Sequence, residues 1–125
     1  MTHQRMLVIG TYPITQAQHG GQKRTRAIVD AYQQVFKQVK YVAVFHKGYY
    51  EDYASGDIAV GPETIEKLNQ NPQFADVIMG DAVYDDPVAR QKMVELLDDY
   101  QPDIIHIEQP YPYLGLKKIL AERQA

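Results

Sequence analysis

The chain has 125 residues, 45% hydrophobic and 23% charged, with a net charge of −3 and no cysteine. That length holds one domain with a real core. The missing cysteines exclude a disulfide scaffold, thiolate metal sites and cysteine catalysis, and the mild acidity offers no basic field for nucleic acid. No apolar run reaches the length of a membrane span, and Met1-Thr2-His3-Gln4-Arg5 lacks a signal-peptide stretch, so a cytoplasmic location is expected.

Residues 5–10 form a compact apolar run ending in Val8-Ile9-Gly10 and read as a buried strand. A connection through Thr11, Tyr12 and Pro13 leads to His19-Gly20-Gly21, and residues 21–38 then carry Ile28, Tyr32 and Val35 at helical spacing. Tyr41 to Phe45 is a second strand, rich in β-branched and aromatic residues. A weaker stretch follows, with Tyr49, Tyr50 and Tyr53 in a loop, a short strand at Ile58-Ala59-Val60, and a short helix opened by Pro62. Phe74 to Met79 is expected as a further strand, although a helical turn fits nearly as well. Asp86-Pro87 is a helix start, a capping carboxylate followed by proline. The apolar face of that helix comprises Ala89, Met93, Leu96, Leu97 and Tyr100, and Pro102 ends it. Residues 103–108 form a third clear strand, and Tyr113 to Arg123 a last helix with Leu116, Ile119 and Leu120 inward.

Strands alternating with helices at these lengths predict an α/β, Rossmann-like three-layer domain with a mainly parallel sheet. Such sheets take ligands at the carboxyl ends of their strands. The Thr11–Gly21 connection and the segment after Glu108 both fall there. Lys23, Arg24 and Arg26 crowd the first turns of the Gly-Gly helix, the end where the macrodipole already places positive charge. Local stability does not explain them, whereas free amides backed by a cation suit an anion such as phosphate. The plainer alternatives are a flexible helix entry for Gly20 and Gly21, and a solvated face for Lys23 and Arg26. His106 also fits a hydrogen-bonded core histidine, since Ile105 and Ile107 point to the other face. Glu108, on the His106 face at the end of the strand, is the better functional candidate, and His46 is a weaker one at the same edge. No metal site is expected, because His19, His106 and Glu108 are far apart in sequence with nothing to fix their geometry.

The order of strand, Gly20-Gly21, basic helix and then Gln101-Pro102-Asp103-Ile104-Ile105-His106-Ile107-Glu108 resembles the amino-terminal domain of retaining glycosyltransferases of family 4, which have the two-Rossmann GT-B architecture. The resemblance spans most of residues 6–120. It implies that Gly20 and Gly21 approach the donor diphosphate, that Arg24 lies near the phosphates or acceptor, and that His106 matches the histidine of the Pro-Asp strand. A second histidine, found in many members two positions on, is replaced here by Glu108. The implied role is the acceptor side of an enzyme moving sugar from a nucleotide-sugar co-substrate to a glycan or lipid-linked acceptor. No further cofactor is implied, and peripheral contact with the inner membrane face is expected. The family's second domain carries a Glu-x7-Glu motif, and no two glutamates here have that spacing. The expectation is therefore a truncated domain, inactive alone and prone to self-association through an uncovered sheet edge. The alternative is a free-standing Rossmann-like binding module without chemistry. A dinucleotide dehydrogenase is disfavoured because no Gly-x-Gly-x-x-Gly follows the first strand. A phosphoacceptor receiver is disfavoured because no acidic pair follows it.

Overall fold

A computed structural model describes residues 4–124. Four strands, β1 (Arg5–Gly10), β2 (Gln38–Phe45), β3 (Ile58–Ala59) and β4 (Ile104–Ile107), form one parallel sheet in the order β3-β2-β1-β4. Five α-helices accompany them among the described residues: α1 (Gly20–Gln33), α2 (Pro62–Gln70), α3 (Ala75–Asp85), α4 (Pro87–Tyr100) and α5 (Tyr113–Gln124). The domain is thus a Rossmann-like α/β fold with helices on both faces of a parallel sheet. No helix among the described residues is long and apolar enough to cross a membrane.

Strand alternation divides the core in two. Leu7 and Ile9 of β1 and Val42 and Val44 of β2 face one side, where they meet Leu68, Met79, Val83, Met93, Leu97, Leu116 and Ile119 from α2 to α5. Met6 and Val8 face the other side, under Val29, Tyr32 and Phe36 of the α1 segment. β1 is flanked by β2 and β4, with Val8 level with Tyr41 and His106, and Ile9 level with Val42 and Ile107. Burial on both faces is why β1 reads as a continuous apolar run.

Three boundaries differ from the sequence expectation. Residues 74–79 are not a strand: a single 3-10 turn, Pro72–Phe74, leads straight into α3. Met79, Ala82 and Val83 supply a helical apolar face buried against the core, while Phe74 and Val77 stay exposed. Packing on one face outweighs the strand propensity of Val77-Ile78. α1 ends at Gln33 rather than 38, which leaves Val35 in the connection and exposed. β2 begins at Gln38, because its first half pairs with β1 from Arg5 onward while alternating between exposed and half-buried residues.

The helix ends follow their local chemistry. Asp86 caps α4 by accepting from the Ala89 amide at 2.9 Å, with Pro87 in the first turn. α4 stops at Gln101, whose left-handed backbone (φ 49°) precedes Pro102. Arg5 then locks that corner: its Nε donates to the Gln101 carbonyl and its amide to Asp103.

Candidate functional site

The carboxyl ends of β1, β2 and β4 lie at one edge of the sheet, and the start of α1 is brought there by the connection 11–19. Buried Tyr12 and Ile14 pin this connection, and side chains hold its shape. The Tyr12 hydroxyl lies 3.1 Å from the Gly21 carbonyl and 2.9 Å from the Thr25 hydroxyl. The Tyr41 hydroxyl donates to the Tyr12 carbonyl at 2.6 Å. Burial above all, with Tyr12, Asp57 and Glu108 nearby, raises the Tyr41 phenol well above its ordinary value, so this donor keeps its proton. Tyr41 also explains Gly10, where a β-carbon would overlap the tyrosine hydroxyl.

α1 opens with a capping box. His19 Nδ1 accepts from the Gln22 amide at 3.2 Å, and the Gln22 side-chain oxygen accepts from the His19 and Gln18 amides. The Gln22 side-chain nitrogen donates to the Pro13 carbonyl at 2.7 Å. Gly20 and Gly21 are the first two residues of the helix, where no intrahelical acceptor exists for their amides. A β-carbon on Gly20 would meet only open space, whereas one on Gly21 would press on Tyr12 and His19.

Arg24 lies one turn further along α1, and it meets the end of β4. Its guanidinium is 3.1 Å from Glu108 Oε1, and His106 Nε2 is 3.0 Å from Glu108 Oε2. The Glu108 side chain is only 2% exposed, against 63% for Arg24. A buried carboxylate is therefore fully engaged while the cation it holds remains open to solvent. His106 Nδ1 lies 3.0 Å from the Tyr32 hydroxyl. With Nε2–H donating to Glu108, Nδ1 is left to accept from Tyr32. The chain Arg24–Glu108–His106–Tyr32 thus joins α1 to β4 twice over, because residues 24, 28 and 32 form one stripe of the helix.

The structure brings Arg24, His106 and Glu108 into direct contact and sets Gly20 and Gly21 one turn before Arg24 on the same helix. Lys23 and Arg26 go elsewhere. Arg26 pairs with Asp30 at 3.5 Å and reaches the Ile14 carbonyl, and Lys23 is exposed. His19 caps α1, and no group of three His, Cys, Asp or Glu side chains among the described residues is arranged to hold a metal ion. Comparison with family models, curated proteins and solved structures finds no match.

Sequence reasoning missed the contributions of four residues. Tyr32 reads as an ordinary core position of α1, and nothing in the chain marks its hydroxyl for His106. Thr11 and Gln109 join the β1 and β4 ends through a side-chain hydrogen bond of 3.1 Å, which only the strand order makes possible. Gln22 was the most legible: His19-x-x-Gln22 has the spacing of a capping box, with histidine where serine or threonine is usual. A small cavity of about 140 Å³ opens beside this edge, lined by Thr11, His46, Asp76 and Gln109 among others, which places His46 at the edge as expected.

Proposed function

We propose that the chain forms the acceptor-side domain of a retaining glycosyltransferase that moves sugar from a nucleotide-sugar to an acceptor. The observation that carries this reading is the solvent-open Arg24 guanidinium, held by buried Glu108 beside the Gly20-Gly21 helix start, at the carboxyl edge of a parallel sheet. Anions are favoured there by amides, dipole and cation together. In this reading the Gly20 and Gly21 amides and Arg24 stabilise the charge that develops on the departing diphosphate. Glu108 acts as a positioning residue: it fixes the guanidinium with one oxygen and is itself oriented by His106 through the other. The open space over Gly20 accommodates the close approach of a phosphate.

The second reading is a binding module without chemistry, and the full engagement of both Glu108 oxygens favours it. The mass and activity of the native gene product separate the two. An antibody raised against this chain should detect a product several times heavier than 14.3 kDa that transfers sugar from a nucleotide-sugar. Arg24→Ala in that product should lower kcat by about a hundredfold, as expected for loss of one group stabilising developing charge. A native product near 14.3 kDa without transfer activity overturns the transferase reading.

A further inference from the structure

A polar cleft lies beside the Arg24 site rather than in it. It measures about 370 Å³ and separates the β1–α1 connection from the segment that follows β2. Gln16, Gln18 and His19 line one wall, and Tyr49, Glu51 and Asp52 line the other. Its size falls within the range of small-ligand sites, roughly 300–1,000 Å³, but those sites are mostly apolar. A cleft walled by amides and carboxylates instead offers donors and acceptors in quantity. Gln16 and Gln18 are already paired side chain to side chain at 3.2 Å, which sets two amides in one cluster. Tyr49 is 56% exposed and stacks on His46 at 4.1 Å, so one ring face is backed and held in place. An aromatic face flanked by amide and carboxylate groups matches a pyranose, with apolar C–H patches on its faces and hydroxyls around its rim.

Charge decides the class further. Two carboxylates line the cleft and neither lysine nor arginine does, because Arg24 faces Glu108 and Lys47 lies over the Tyr53 ring. The two carboxylates repel a phosphoryl group there and oppose the pull of the α1 start at His19, whereas at Arg24 a cation adds to that pull. Tyr49 and Tyr50 also line the smaller cavity at the sheet edge, so the cleft and that cavity are neighbours. We propose that this cleft binds a neutral saccharide and rejects a phosphorylated one. The inference rests on the transferase reading and names its acceptor: an uncharged glycan end.

Titration of the 125-residue chain, followed by amide NMR shifts, tests this. The probes are methyl glycosides of glucose, galactose and mannose, each paired with the corresponding hexose 6-phosphate. At least one neutral glycoside should shift Gln16, Gln18 and Tyr49 to Asp52, and its phosphate should bind on the order of tenfold more weakly, as like charges at close range require. Tyr49→Ala should abolish the neutral shifts, and the double variant Glu51→Gln, Asp52→Asn should narrow the discrimination. Absence of shifts with all neutral probes, shifts elsewhere, or equal binding of the phosphates overturns the inference. Sugar transfer by the native product with a silent cleft sinks this inference alone. A responding cleft in a product without transfer sinks the transferase reading alone.

Discussion

Asp86 lies buried where the turn before α2 meets the start of α4, and its two oxygens serve three donors. Oδ1 accepts from the Ala89 amide, and Oδ2 accepts from the Gly61 amide at 2.8 Å and the Thr64 hydroxyl. Asp86→Ala removes a helix cap, about 1 kcal/mol. It also orphans a buried amide and hydroxyl, so a total loss of about 3 kcal/mol is expected from the urea midpoint. A loss no larger than a cap alone would show that water reaches the Gly61 turn. Asp57 behaves differently. Burial raises its carboxyl above the ordinary value, and hydrogen bonds from the Ala43 and Ala54 amides offset this in part. A group raised in the folded state contributes fully below its unfolded value, about 3.9, and loses that contribution as pH rises through its folded value. The stability of the wild type relative to Asp57→Asn should therefore fall as pH is raised from about 4 towards 7. Denaturant midpoints of both proteins across that range check the sign, and a gap widening in favour of the wild type would mean that the amide bonds outweigh burial.

At the scale of elements, the contact between α3 and α5 depends on two glycines. A β-carbon on Gly80 would run into the backbone of Tyr111, which cannot move aside like the end of a side chain. On Gly115 it would sit 3.2 Å from the Tyr84 amide nitrogen and 3.3 Å from Val83. Gly80→Ala should therefore destabilise by about 2 kcal/mol, the overpacking cost exceeding the helix propensity gained. Gly115→Ala should cost clearly less, since its neighbours need to yield only slightly. Thermal melts of the two variants give the order, and a Gly80→Ala protein as stable as wild type would mean that the β4–α5 connection shifts freely. The same contact explains why residues 74–79 belong to a helix: α3 is held by what packs on it, and α5 comes from more than thirty positions along the chain.

For the molecule as a whole, the sheet order β3-β2-β1-β4 leaves β4 at an edge. β4 is only half-buried, and Ile104 is exposed. Exposed large side chains also collect along the following segment, at Tyr111, Tyr113 and Leu114. An unpaired strand with an apolar flank is a template for further pairing, whereas β3, at the other edge, has only two residues to offer. The 125-residue chain is expected to self-associate, with a sedimentation mass that rises with concentration. A single 14.3 kDa species at all concentrations would show that the β4 edge is adequately protected by its own side chains.

Much of the fold was legible in the order of residues because strand and helix periodicity are local. β1, β4, α4 and α5 announce themselves through apolar spacing, Asp86-Pro87 and Pro102, and alternation alone implies a parallel sheet. Parallel topology in turn places Gly20, Gly21 and Glu108 at one edge, since that edge is simply where the strands end. What the order of residues left open is which atoms meet. Arg24 and Glu108 are a pair only because α1 crosses over β4, and Tyr32 reaches His106 only because a helical stripe lies over that strand. The polar cleft arises from two connections that are distant in sequence and share no periodicity. Local pattern determines elements and their ends, whereas contacts between elements are long-range, and only the folded chain decides them.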